Sequence, residues 1–186
     1  MSPRATAAVI AVVGAAIGLA GDACHVAAGL NQYDVAGVPT VWRSALWFPF
    51  AVGLAVLAAA WGSDRLGLPA HRARTRGDVP AGAAAVLALY ALTAVLRHQP
   101  TTVSVVLTGA LAVLVWAWWD PSPGALLTAL VAAVLGPLAE IAVSAAGLAH
   151  YASDVDGLGG VPPWLPCLYF AAGAVASRLW AAVERS

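Results

Sequence analysis

Charged residues are scarce in this chain. Only 10% of its 186 residues are charged, whereas a soluble domain carries roughly 25%. Lysine is absent, so all nine cationic residues are arginine, and they balance nine acidic residues. So little polar surface excludes a soluble globule, and the neutral balance gives no basic patch for nucleic acid. The arginine bias, beside abundant alanine, glycine and valine, is typical of a GC-rich bacterial gene.

Catalytic and metal-binding motifs are also missing. The two cysteines, Cys24 and Cys167, are too few for a metal cage, and we expect both to be buried thiols. There is no Gly-x-Ser-x-Gly, His-Glu-x-x-His or phosphate-loop motif. Asp22 and His25 are three residues apart, with His150 far along the chain, and we interpret them as polar residues at helix ends rather than metal ligands. We therefore expect a protein that is not an enzyme and needs no cofactor or metal.

Long apolar runs are what the sequence has in abundance. A helix needs about 20 apolar residues to cross the hydrocarbon core of a bilayer. Prolines punctuate the runs, and the eight tryptophans lie near their ends, as in the aromatic belts of membrane proteins. The first run, including Ala7–Ala20, is expected to be an uncleaved helix. The sequence predicts an all-α integral membrane protein, with residues 1–186 forming one domain of six transmembrane helices at about 5–24, 44–62, 79–97, 102–119, 124–149 and 163–182.

The arginines predict the orientation of this bundle. With the N-terminus inside, seven of the nine arginines fall on the inner side, including Arg178 and Arg185, and only Arg43 and Arg97 fall outside. This bias favours a cytoplasmic location for both termini, in a bacterial inner membrane. The outer segments carry aspartates instead, at Asp22, Asp34, Asp154 and Asp156.

Glu140 is the strongest anomaly within the apolar runs. It lies near the middle of the fifth predicted span, just after Gly136-Pro137, which should bend or open the helix. An ionisable group at such depth is costly, so we expect it to face the bundle interior in a neutral form. Two interpretations stay open: a glutamate that hydrogen-bonds a neighbouring helix, or a residue in the wall of a binding cavity.

Several short motifs in the second half of the chain occur in an order that resembles a known membrane-protein family. The last span opens with Trp164-Leu165-Pro166-Cys167, followed by Tyr169-Phe170 and Gly173. The others are Ser44-Ala45-Leu46-Trp47-Phe48-Pro49, Ser63-Asp64-Arg65-Leu66-Gly67, Trp118-Trp119-Asp120, and the trio Gly147, Tyr151 and Ser153. Over residues 44–181 the chain resembles the Insig family, the insulin-induced gene proteins.

The resemblance implies six helices with both termini cytosolic and a cavity of lipid size. Insig proteins bind oxysterols in the membrane and retain a sterol-sensing escort protein, for which they use the aspartate that matches Asp120. A polar position of the family, early in the fourth helix, is Val103 here. The resemblance thus implies a possible helical membrane-protein partner at Asp120, although a turn aspartate that caps the fifth helix is the alternative interpretation.

The leading hypothesis is an Insig-like, non-enzymatic protein that binds a weakly polar lipid, diacylglycerol-like or sterol-like. Its predicted lipid contacts are Ser104, Thr108, Glu140 and Ser144, and self-association is compatible with the pattern. The first alternative is a small ion- or proton-coupled transporter or channel that uses Glu140. It ranks lower because the sequence has one interrupted helix and no repeat. An intramembrane enzyme using Glu140 with His25 or His150 ranks last.

Overall fold

The computed structural model describes residues 1–33 and 38–184. Asp34, Arg185 and Ser186 lie outside these residues. Within the described part of the chain, six helical segments are long and apolar enough to cross a membrane. The helices are α1 Pro3–Ala27, α2 Trp47–Arg65, α3 Val79–Val95, α4 Thr101–Trp119, α5 Pro123–Ala145, α6 Leu165–Ala176 and α7 Leu179–Glu184, the last two forming one span.

Helix starts follow the local sequence. Ser2 and Ser122 are N-caps, whose side chains accept hydrogen bonds from the N–H groups of Ala5 and Ala125. Each cap is followed by proline at the first helical position, where no N–H group is needed. The second span begins at Trp47 rather than residue 44, because Ser44–Ala45 pairs with Thr40–Val41 as strands β3 and β2 of a short hairpin.

The end of α5 differs from the sequence-based boundary for a clear reason. The helix stops at Ala145, not residue 149, and Gly147 follows with a φ of +68°, a conformation that glycine adopts without strain. The chain then forms strand β4, His150–Tyr151, which pairs antiparallel with β1, Asn31–Gln32. This pairing ties the C-terminal ends of α1 and α5 together.

The last span is the centre of the bundle. Two-thirds of it is buried, more than any other span, and α6 packs against α2, α3, α4 and α5. Helix α1 packs closely on α2 because Gly14 and Gly18 face Val56 and Val52, where side chains would collide. An even number of spans brings both ends of the described chain to one side, so the six-helix bundle is confirmed and its cytoplasmic orientation stays a prediction.

The prediction that both cysteines are buried is wrong for Cys24 and only partly correct for Cys167. Both thiols are free, but Cys24 is exposed on the outside of α1 and Cys167 is only partly buried. Helix α1 buries Asp22 and His25 instead and turns residue 24 away from them. No group of three or more metal-ligating side chains exists among the described residues.

Candidate functional site

Glu140 is paired with a tyrosine of the central helix. The hydroxyl of Tyr169 on α6 donates a 2.8 Å hydrogen bond to Glu140 Oε1, and the glutamate is only partly buried. Gly136, one turn earlier on α5, makes room for the tyrosine ring, since a Cβ atom there would lie 2.2 Å from Tyr169 Cγ. Because α5 ends at Ala145, Glu140 lies roughly 8 Å from the C-terminal end of the helix rather than near its middle.

More tyrosines surround this pair at the outer end of the bundle. Burial, followed by proximity to Glu140, raises the pKa of Tyr151 in β4 well above its ordinary value. Burial and proximity to Asp22 likewise raise the pKa of Tyr33. Elements from α1, β4, α5 and α6 thus contribute hydroxyl and carboxyl groups to one polar interior.

Asp22 forms the other carboxyl of this interior. Its side chain is 2% exposed and accepts hydrogen bonds from Asn31 Nδ2 at 3.0 Å and from the Tyr33 hydroxyl at 2.7 Å. His25, one turn later, lies 2.8 Å from the Thr93 hydroxyl. These residues are internal groups that join α1 to its neighbours, not free polar groups at a helix end.

The four predicted lipid contacts fall into two separate pairs. Glu140 and Ser144 are four residues apart and share one face of α5. Ser104 and Thr108 share a face of α4, and both are buried. The Ser104 hydroxyl donates to Leu96 O at 3.4 Å, whereas Thr108 Oγ1 has no hydrogen-bond partner in the part of the chain that the structure describes.

Helix α6 stands between these pairs. Gly109, next to Thr108, faces Cys167, and a Cβ atom there would lie 3.5 Å from its sulfur. Glu140 instead bonds Tyr169, two residues along α6 and therefore roughly 200° around its axis. The structure brings Glu140 together with Ser144, but not with Ser104 and Thr108.

Asp120 occupies a second polar centre, at the opposite end of the bundle. It is fully buried between α4 and α5 and accepts hydrogen bonds from the N–H groups of His71 at 3.0 Å and Arg72 at 3.2 Å. The hydroxyl of Ser122 donates at 2.9 Å, and Arg178 Nε at 2.5 Å. Burial alone would raise the pKa of Asp120, but the hydrogen bonds from Ser122, the His71 N–H group and the Arg178 guanidinium outweigh it and hold the pKa below its ordinary value. Ser122, not Asp120, caps α5.

Arg178 lies at the break between α6 and α7. Besides Asp120, its guanidinium donates to the carbonyl oxygens of Leu68 at 3.3 Å and Pro69 at 2.5 Å. The side chain is 8% exposed, so it is an interior residue rather than a free cytoplasmic charge. It holds the segment after α2 against the end of the bundle.

The arginine-rich segment after α2 caps helix ends. Arg74 donates to Trp118 O at 2.7 Å and Trp119 O at 2.9 Å, and its guanidinium carbon lies 4.5 Å from the centroid of the Trp119 ring. Arg76 donates to Val183 O at 2.7 Å. Cations at these positions satisfy the last carbonyls of α4 and α7 and offset their negative ends. The arginines of this segment thus have structural partners.

Sequence comparison identifies the family of this six-helix bundle. No family model matches the chain. The INSIG protein homolog of Mycolicibacterium vanbaalenii is 41% identical over 174 residues, which cover 93% of this chain and 84% of that protein. The chain belongs to the Insig family.

Solved Insig structures share its fold. The crystal structure of MvINS, the Insig homolog from Mycobacterium vanbaalenii, matches with a TM-score of 0.89 and 37% identity, covering 97% of this chain and 94% of that chain. A cross-linked trimer of a cysteine variant of MvINS matches with a TM-score of 0.88 and 38% identity, covering 95% and 93%. The predicted family is therefore confirmed.

Two residues of this Insig homologue gain their importance only from the fold. Tyr169 is the partner of Glu140, and Arg178 is the partner of Asp120. In the sequence, Tyr169 is part of a family motif and Arg178 is a terminal cation. The sequence feature that could have indicated this contact is Gly136. A glycine before a proline within a helix indicates that a side chain of a neighbouring helix packs closely there.

Proposed function

We propose that this Insig homologue is a non-enzymatic protein of the bacterial inner membrane that binds a weakly polar lipid, diacylglycerol-like or sterol-like, inside the bundle. The observation that supports this most is the pair of Glu140 and Tyr169, joined at 2.8 Å within an apolar span. Both residues are partly buried, and they lie near the C-terminal end of α5.

The chemistry of the pair suits a small uncharged head. A carboxyl group surrounded by hydrocarbon is more stable in its neutral form, which can both donate and accept a hydrogen bond. A hydroxyl or ester group matches that capacity. Ser144 lies on the same face of α5, one turn towards the outer end, and adds a second polar contact.

The proposal divides the predicted contacts. Glu140 and Ser144 receive the lipid head. Ser104 and Thr108 would contact the lipid separately, on the opposite side of α6. There the unpaired hydroxyl of the buried Thr108 provides an acceptor and a donor.

Asp120 is proposed to support partner binding from a distance. Its carboxylate is fully buried and accepts four hydrogen bonds, so a helical membrane-protein partner would contact the segment it holds rather than Asp120 itself. His71 and Arg72 are exposed members of that segment. Replacing His71 and Arg72 should weaken partner binding without unfolding the bundle. That result would indicate that the partner contacts this segment and not Asp120 itself.

Self-association is part of the proposal. A cysteine variant of MvINS was crystallised as a cross-linked trimer, and the similarity of fold supports a homo-oligomer for this chain. Native mass spectrometry in a mild detergent tests this state directly.

Lipid retention by Glu140 variants tests the lipid site. Purified protein is loaded with diacylglycerol, washed, and analysed by mass spectrometry. Glu140→Leu should retain lipid more weakly by about 1–2 kcal/mol, the scale of one buried hydrogen bond, while Glu140→Gln should retain most of it. Tyr169→Phe should fall between them.

A matched control and a rival outcome complete this test. Leu138→Ala changes an exposed position two residues away on the same helix and should not alter retention. If Glu140→Leu binds as much lipid as the wild type, the headgroup assignment is wrong.

A further inference from the structure

A second lipid-facing feature lies far from Glu140. An apolar groove of about 440 Å³ is lined by Ala7, Leu54, Leu57, Ala58, Trp61 and Trp180. Leu54 is 63% exposed and Trp61 48%, so the groove is open to the bilayer. It lies where α1 begins and α2 ends, at the predicted cytoplasmic side, whereas Glu140 is at the outer end.

Helix packing explains why this groove exists. Helices α1 and α2 are in close contact where a Cβ atom on Gly53 would meet the carbonyl oxygen of Ala11 at 2.6 Å. Helices that cross at one point diverge beyond it. On the cytoplasmic side of the crossing, the ring of Trp180 from α7 is 8% exposed and forms the floor between them.

Charges of both signs border the mouth of the groove. Arg4 precedes Ala7 by three residues, and Arg65 follows Trp61 by four. Residues three or four apart share a helix face, so both arginines lie one turn nearer the membrane surface than the groove. The guanidinium carbon of Arg65 lies 5.5 Å from the centroid of the Trp61 ring, which positions it at the groove.

Two carboxylates occupy equivalent positions. Asp64 follows Trp61 by three residues, and Glu184 follows Trp180 by four. Both are exposed. The mouth therefore offers two cations and two anions above one apolar groove.

We propose that this groove binds a phospholipid of the cytoplasmic leaflet with a primary ammonium in its head, of the phosphatidylethanolamine class. One acyl chain lies in the groove. The phosphate contacts Arg4 and Arg65, whose guanidinium groups suit phosphate oxygens. The ammonium, with three N–H donors, contacts the carboxylates of Asp64 and Glu184.

Head chemistry makes this assignment specific. Phosphatidylcholine has the same net charge, but its quaternary ammonium cannot donate hydrogen bonds. Phosphatidylglycerol has a net negative charge and no cation for the carboxylates. A site made only by exposed apolar surface would not distinguish these three heads.

Native mass spectrometry tests the proposal. Protein in micelles receives equimolar phosphatidylethanolamine, phosphatidylcholine and phosphatidylglycerol with identical acyl chains, and the retained lipids are counted. Phosphatidylethanolamine should be retained about tenfold better than phosphatidylcholine, the scale of one charge-assisted hydrogen bond. The double variant Asp64→Asn with Glu184→Gln should remove that preference, and Arg65→Gln should weaken retention of all three lipids.

Two further variants separate this groove from the site at Glu140. Leu54→Trp should block the groove and reduce phospholipid retention, whereas Leu114→Trp, at a similarly exposed position on α4, should not. Glu140→Leu should leave phosphatidylethanolamine retention unchanged. Equal retention of the three lipids, a preference for phosphatidylglycerol, or no effect of Leu54→Trp would overturn the proposal. Gel filtration verifies that each variant is folded.

Discussion

Removing the carboxylate of Asp120 should destabilise the fold, because it breaks a buried ion pair. Asp120→Ala leaves the guanidinium of Arg178 buried, with a side chain that is 8% exposed, and without its only close anion among the described residues. It also removes the acceptor for the N–H groups of His71 and Arg72.

The expected loss can be bounded. Removing one partner of a buried ion pair costs about 3–5 kcal/mol. Arg178 keeps the carbonyl oxygens of Leu68 and Pro69 and the hydroxyl of Ser122 as acceptors, which favours the lower end of this range. We expect the free energy of unfolding to fall by about 3 kcal/mol.

Equilibrium unfolding in mixed micelles measures this loss. Asp156→Ala is the matched control, because Asp156 is an aspartate in the connection before α6, away from the buried pair, and its unfolding midpoint should not move. The double variant Asp120→Ala with Arg178→Met should be more stable than Asp120→Ala alone, since no unpaired charge remains. A single variant as stable as the wild type, or a double variant no better than the single one, would refute the structural role of this pair.

The remaining predictions concern other parts of the structure. Gly136→Ala should displace the ring of Tyr169 and cost about 1–3 kcal/mol by overpacking, with weaker lipid retention; a fully stable variant would contradict the packing. Because the pKa of Asp120 is held below its ordinary value of 3.8, its stabilising effect should be present at neutral pH and be lost as the pH falls below about 4. The difference in free energy of unfolding between the wild type and the double variant Asp120→Ala with Arg178→Met, which lacks this linkage, should therefore shift in favour of the double variant as the pH falls below about 4; a difference that does not depend on pH would contradict it. Reporter fusions at Ser186 and within Gly62–Val79 should both read cytoplasmic, and a periplasmic signal at either would reverse the orientation.

The six spans could be predicted because apolar length alone nearly determines them in a membrane. The family could be predicted because its motifs are local, as in Trp164-Leu165-Pro166-Cys167. Glu140 also stood out, since a carboxyl group within an apolar run is rare. Its partner did not, because the hydrogen bond with Tyr169 depends on the packing of α5 against α6.

Charge was harder to interpret from the sequence. A run of arginines beside a span predicts the orientation of the span. It does not show that Arg74 and Arg76 cap the C-terminal ends of α4 and α7, far along the chain. Arg178 follows an apolar run and resembles any cytoplasmic flank, yet the break after Ala176 buries it. The separation of Ser104 and Thr108 from Glu140 could not be predicted, because helix phase shows which residues share a face, not which helix lies between two faces.

The lipid that co-purifies with the wild-type protein tests the central claim most directly. Protein extracted in a mild detergent is analysed by quantitative lipid mass spectrometry, and the same preparation is assayed for proton or ion flux in liposomes. We predict one neutral lipid with a hydroxyl or ester head per protomer and no flux. Absence of such a lipid, together with a flux that Glu140→Gln abolishes, would contradict lipid binding and identify Glu140 as the ion site of a transporter.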